Sequence, residues 1–185
     1  MSLPEHPQLT PDALKGRVIL ITGAGDGLGR ATAIAAAGCG ATVVLLGRTI
    51  KKLEATYDAI EKIGGPQPGI IPLNLNGASW NDHLGVAETL EQEFGRLDGL
   101  VHCAAYFTGF MRLAELPPKE WMDSVQTNLT AAYVLTRNVL PLLEKSSDGN
   151  VVFVTDSAAR SPKAYQGAYG ITKAALEAMS ATWAL

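Results

Sequence analysis

Five short apolar runs punctuate the chain, and stretches with helical periodicity separate them. The runs are residues 17–23 (RVILITG), 41–47 (ATVVLLG), 69–74 (GIIPLN), 99–105 (GLVHCAA) and 150–156 (NVVFVTD). They are continuous rather than alternating, the pattern of strands buried on both faces of a parallel sheet. Residues 28–37 are Ala-rich and stop at Gly38, while residues 50–63 stop at Gly64-Gly65-Pro66, which cannot continue a helix. Val86, Leu90 and Phe94 recur every four residues before Gly95. Trp121, Val125, Leu129, Ala132 and Tyr133 mark one face of a long helix running to Leu143, and residues 168–185 form a last helix. Strand–helix alternation with right-handed crossovers predicts an α/β, three-layer αβα architecture around a doubly wound parallel sheet. The longer loops, residues 74–81 and 106–118, fall at carboxyl ends of strands, where such sheets bind ligands. No repeat or long linker interrupts the pattern, so residues 1–185 read as one domain with an N-terminal extension over residues 1–14.

Composition narrows the function. The chain has 185 residues, of which 47% are hydrophobic and 18% charged, too apolar for general disorder. A net charge of −3 argues against a nucleic-acid partner. No signal-peptide h-region or apolar run long enough to span a bilayer is present. Cys39 and Cys103 suit free thiols in a reducing cytoplasm. His6, His83 and His102 are scattered and make no metal-ligand spacing.

The first strand runs directly into Thr22-Gly23-Ala24-Gly25-Asp26-Gly27-Leu28-Gly29. Glycines at 23, 27 and 29 permit a tight strand-to-helix turn and close approach of backbone to a pyrophosphate. The free N–H groups and positive dipole end of the next helix favour that anion. A glycine pattern is a weak signal alone, but here it follows a buried strand and opens a helix.

The spacing GxxxGxG with Thr in front resembles the short-chain dehydrogenase/reductase family, whose members are NAD(P)-dependent Rossmann-fold enzymes. Leu97-Asp98-Gly99-Leu100-Val101 resembles the family's entry to strand four, Asn128 in Thr127-Asn128-Leu129 its helix Asn, and Tyr169-Gly170-Ile171-Thr172-Lys173 its YxxxK. The resemblance covers nearly the whole chain. It implies a cofactor lying against Gly23, Asp26, Gly27, Leu28, Gly29, Arg48, Asn74, Leu75, Ala104, Tyr169 and Lys173. Family members run longer, so it also implies that the C-terminal strands and substrate-binding part are missing from this chain.

Tyr169 and Lys173 stand four apart and share a helix face. A tyrosine with a pKa of ~10 is a poor acid–base catalyst at neutral pH, and a nearby ammonium would lower that value. The resemblance implies that Lys173 also holds the nicotinamide ribose and that Asn128 helps hold a proton-relaying water. Asn128 reads equally as a core amide bonded to nearby backbone. The family's substrate-orienting Ser stands thirteen residues before its Tyr, and here that position is Asp156. Either a one-residue shift presents Ser157, the reading we favour, or Asp156 occupies the site, where its carboxylate would repel a developing alkoxide.

Other departures are His102-Cys103-Ala104-Ala105 in place of NNAG and Asn74 in place of an adenine-side Asp. An Ala at the Gly position would narrow the adenosine side. Gly47 stands where NAD-preferring relatives carry an acid, and Arg48 follows it, suited to a 2′-phosphate. This favours NADP, with NAD possible; Asp26, where many NADP users are basic, argues the other way. The expected activity is hydride transfer between NADP(H) and a small-molecule carbonyl or secondary alcohol, with Tyr169, Lys173, Ser157 and Asn128 as catalytic set. The alternative is a non-catalytic nucleotide-binding or interaction protein on a degenerate scaffold. By resemblance a homo-oligomer, dimer or tetramer, is expected, with Trp121, Tyr133 and Met179 as apolar contacts.

Overall fold

The computed structural model describes residues 10–185. Its elements are β1 (Val18–Thr22), α1 (Gly27–Gly38), β2 (Thr42–Gly47), α2 (Ile50–Lys62), β3 (Gly69–Pro72), α3 (Trp80–Phe94), β4 (Gly99–His102), α4 (Pro118–Val125), α5 (Ala131–Leu143), β5 (Asn150–Phe153) and α6 (Gly167–Trp183). All strands pair in parallel in the order β3-β2-β1-β4-β5. The order reverses beside β1, and the crevice between the carboxyl ends of β1 and β4 is where such sheets bind ligands.

Successive side chains of a strand point to opposite faces. Leu20, Val44, Leu46 and Leu100 therefore join the α3 and α5 residues Val86, Leu90, Leu135 and Val139 in one core. Ile21, Val43 and Leu45 join Ala33 and Ala37 of α1 and Leu53 and Ile60 of α2 in the other. Leu14 packs on the second core and its amide bonds the Cys39 carbonyl at 2.8 Å, so the end of the expected extension is part of the fold. Residues 1–9, including His6, lie outside the described residues.

Four expectations are corrected. Strands β3, β4 and β5 end at Pro72, His102 and Phe153, short of the apolar runs that suggested them, because the chain leaves the sheet to build loops. The edge strands β3 and β5 are not buried on both faces, and Val152 is 51% exposed. The long helix is not one uniform helix. A π turn over Gln126–Thr130 separates α4 from α5. The extra residue rotates everything beyond it by about 100°. Trp121 and Tyr133, expected on one face of that helix and as apolar contacts of an oligomer, are both on the surface at 36% and 43% exposure. Helix α3 also starts at Trp80, inside the expected loop, because Ser79 and Asp82 form a capping box.

Asp98 fastens the amino end of the sheet. Its carboxylate accepts from the Val18 amide at 2.8 Å and Ser146 Oγ at 2.6 Å and faces Arg17 and Arg96 at 3.4 and 3.3 Å. Burial alone would raise its pKa, but the bonds from Ser146 and Val18 and the two arginines outweigh that and hold it below the usual carboxylate value. A depressed folded pKa gives stability that is full above the unfolded value of ~3.9 and is lost as pH falls through the folded value. Asp98→Ala is expected to cost about 2–3 kcal/mol at neutral pH, with the difference from wild type shrinking on acidification; urea melts across pH check this.

Candidate active site

A cleft of about 430 Å³ opens at the carboxyl ends of β1, β2 and β4. Every residue expected by resemblance on the nucleotide side lines it: Gly23, Asp26, Gly27, Leu28, Gly29, Arg48, Asn74, Leu75 and Ala104. The glycine turn is tight for reasons of space. A Cβ on Gly29 would overlap the Gly23 carbonyl oxygen, and one on Gly23 would stand 2.9 Å from the backbone of Ala104. Gly27 has φ +49° and open space where a Cβ would lie, so its bareness serves the cleft rather than the core. Thr127 also lines the cleft, and its hydroxyl oxygen is buried without a partner among the described residues. A cradle that side chains would fill and an unpaired polar atom both fit a polar ligand such as a dinucleotide.

Asp26 does not close the cleft to anions by itself. It caps α1, accepting from the Gly27 amide at 2.8 Å, and Lys52 of α2 lies against its other oxygen. The Lys52 bond and then the Gly27 amide hold the Asp26 carboxyl below its usual range. Lys52 lines the cleft with Arg48, and sequence reasoning missed it. Lys52 is four positions after Arg48, which places both near the start of α2, but its pairing with Asp26 across 26 positions had no local signal. Thr22 is a second omission. Its hydroxyl accepts from the Ala104 amide at 3.1 Å and so braces the end of β4, next to His102 and Cys103, which stand where the family has two Asn. Ala104 packs on the α3–α5 core, and Ala105, at the position of the family's Gly, lines the cleft, so its methyl group is part of the cleft wall. Cys103 is half-buried and burial raises its thiol pKa, in keeping with a packing role.

The second group of residues stands beyond this cleft, on α6 and the turn after β5. Lys173 is buried, its Nζ donates to the Val154 carbonyl at 2.7 Å, and it lies 5.6 Å from the Tyr169 ring centroid. Burial lowers the Lys173 pKa. Burial and then the Asp156 carboxylate raise the Tyr169 pKa. The phenol is thus shifted upward rather than downward in this arrangement, with burial the larger cause. Asp156 caps the short turn Ser157–Ala159, accepting from the Ala158 amide at 2.8 Å. Ser157 is exposed and its hydroxyl reaches only Asp156, at 3.4 Å. Phe107 meets the Tyr169 ring edge-on at 5.2 Å.

Asn128 sits in the π turn and is buried. Its Oδ1 accepts from the Tyr106 amide at 2.6 Å, and its Nδ2 lies within 3.0–3.2 Å of the Tyr106 carbonyl, Ser124 Oγ and Thr172 Oγ1. These are the backbone and side-chain partners that the core-amide reading expects. Tyr106 lines the cleft and Thr172 is on α6, so Asn128 ties the two groups of residues together. His102 stacks on Phe153 and lies 2.9 Å from Thr136 Oγ1; burial and the charge of Lys173 push its pKa down to about 3, so it stays neutral. No cluster of three metal-ligating side chains exists among the described residues. Likewise, none of their helices is long and apolar enough to cross a membrane.

The sequence matches the short chain dehydrogenase family over residues 17–185. The uncharacterized oxidoreductase YciK of Escherichia coli strain K12 is 38% identical over 94% of this chain and 69% of its own length. A protein of Pseudomonas syringae assigned to the short chain dehydrogenases superposes with a TM-score of 0.92 at 45% identity, over 95% of this chain and 71% of that one. A short chain dehydrogenase structure from E. coli CFT073, complexed with NADPH, gives 0.89 at 39% identity, over 92% and 71%. The chain spans about two thirds of the length of the curated relatives it matches. It belongs to the short-chain dehydrogenase/reductase family of oxidoreductases, on a Rossmann-type α/β fold.

The two glycines differ in what substitution costs. Gly29→Ala is expected to destabilise by about 3 kcal/mol or more through overlap with backbone, and Gly27→Ala by only about 1 kcal/mol through its left-handed φ. Denaturant melts of the two variants compare them directly.

Proposed function

We propose that the protein is an NADP-dependent oxidoreductase acting on a small carbonyl compound or the corresponding secondary alcohol. The observation that carries this reading is the joining of the glycine-turn cleft to the Tyr169–Lys173 helix through buried Asn128. The NADPH complex of the E. coli CFT073 relative supports the cofactor. When bound, the nicotinamide supplies or takes up the hydride. The glycine turn and the first amides of α1 receive the pyrophosphate. Asn74 and Leu75 flank the adenine side. Arg48 and Lys52 line the cleft and would hold the adenosine ribose end, where cations favour a 2′-phosphate and no carboxylate from β2 would oppose it. Tyr169 exchanges a proton with the substrate oxygen, and Lys173 lies beside it on the same helix face. Thr155 and Ser157 each stand one residue from the family's position, and Thr155 is already bonded to Glu177, which leaves Ser157 as the free hydroxyl, while Asp156 is the group whose charge reaches Tyr169 and Lys173. That last point favours a second reading, a nucleotide-binding protein with weak or no turnover. We also propose a single cofactor-binding domain, a cytoplasmic location, and self-association through the exposed Trp121 and Tyr133 together with half-buried Met179.

Isothermal titration with NADPH and NADH tests the cofactor assignment. Arg48→Ala and Lys52→Ala are each expected to weaken NADPH binding roughly tenfold, about one charge-assisted bond, and to leave NADH nearly unchanged. Equal affinity of wild type for both would sink the NADP assignment.

NADPH-dependent reduction of diacetyl tests turnover. Tyr169→Phe is expected to lower kcat by roughly a hundredfold or more while NADPH still binds. The raised pKa keeps the phenol protonated further up the pH scale. Reduction, which needs that proton, should therefore hold level through neutrality and decline only as pH passes the raised value. Asp156→Asn removes one of the two causes, so the alkaline limb should move to lower pH. Tight NADPH binding with no turnover on any carbonyl would favour the second reading.

A further inference from the structure

The turn after β5 carries both groups that compete for the substrate position, Asp156 and Ser157. Neither end of that turn is held by the sheet alone. Thr155 Oγ1 donates to Glu177 Oε1 at 2.8 Å, and Arg160 Nε donates to Glu177 Oε2 at 2.9 Å. One carboxylate thus grips the residues on either side of Asp156, Ser157 and the short helical turn. Glu177 lies on α6, one helical turn beyond Lys173 and two beyond Tyr169. Lys173 binds the Val154 carbonyl from the same helix, giving a third attachment just before the turn. Helix α6 also lies close to the turn, since a Cβ on Gly170 would stand 3.4 Å from the Ala158 carbonyl oxygen.

Resting on the oxidoreductase reading, we propose that Glu177 is a positioning residue that sets the register of residues 155–160 against Tyr169 and Lys173. It does not line the cofactor cleft and touches no reacting group. Its two bonds are well suited to fixing geometry and poorly suited to adding stability. Arg160 is 79% exposed on its side chain, and an exposed ion pair contributes little to folding. A small displacement of a substrate-orienting group is nonetheless costly to rate, by up to roughly a hundredfold for about 1 Å. The bonds from Arg160 and then Thr155 hold the Glu177 carboxyl below its usual range, so the clamp is charged throughout the neutral region.

The test uses Glu177→Gln and Glu177→Ala in the full chain, with hydrogen exchange, NADPH titration and diacetyl reduction. The expected result is faster amide exchange confined to residues 155–160 and kcat/KM lower by roughly tenfold or more, with NADPH affinity and Tm close to wild type. Gln keeps an acceptor for Thr155 but loses the charge that Arg160 needs, so its effect should be the smaller. Arg160→Ala in the Glu177→Ala background should add little, because the two act through one contact. Unchanged exchange in residues 155–160, or faster exchange spread along α6 with a lowered Tm, would overturn the proposal. If Glu177→Ala frees the turn selectively while wild type itself reduces no carbonyl, the clamp stands and the oxidoreductase reading fails.

Discussion

Asn128 is the group on which the two halves of the site depend. A buried amide must find partners for both its ends, or the desolvation of each lost bond is uncompensated. Here the partners come from three separate segments: Tyr106 after β4, Ser124 on α4 and Thr172 on α6. Thr172 in turn donates to the Tyr169 carbonyl at 2.9 Å. The loop that walls the cleft and the backbone that carries Tyr169 are therefore set relative to each other through one side chain. The π turn at Gln126–Thr130 is what brings that side chain inward, at the expense of regular helix phase. Apolar packing is non-directional and contributes most of the fold's stability. The amide is directional, and it makes the site a geometry rather than a neighbourhood.

Charge is handled differently at the two ends of the site. At the cleft, Asp26 is compensated on the spot by the Gly27 amide and Lys52, so an acidic residue can stand at the helix start without repelling an anion outright. On the far side, Asp156 is only partly compensated. Its carboxylate caps a turn, yet its field still reaches Tyr169, raising the phenol, and Lys173, favouring the ammonium. A phenol raised in this way is a better reservoir of a proton than an acceptor of one. Burial is the larger cause of that rise, and the carboxylate that departs from the family's Ser position adds to it.

Much of this was legible in the chain itself, and what was hidden has a common cause. Five apolar runs, their helical spacers and the glycine turn are local patterns, so the parallel sheet, its cofactor cleft and the sharing of one face by Tyr169 and Lys173 follow from neighbours in sequence. Contacts between distant segments leave no such trace. Nothing in the local pattern announces that Lys52 answers Asp26, that Thr22 braces Ala104, or that Glu177 grips Thr155 and Arg160. The π turn has no periodicity of its own and erased the single helix face that spacing predicted. Spacing put Lys173 beside Tyr169, but only tertiary packing brought the Val154 carbonyl to its ammonium. Sequence alone determined which elements form and which residues they carry, because propensity and burial act within a few residues. Only the tertiary structure decided how those residues are aimed and charged, because that depends on which atoms from remote segments arrive beside them.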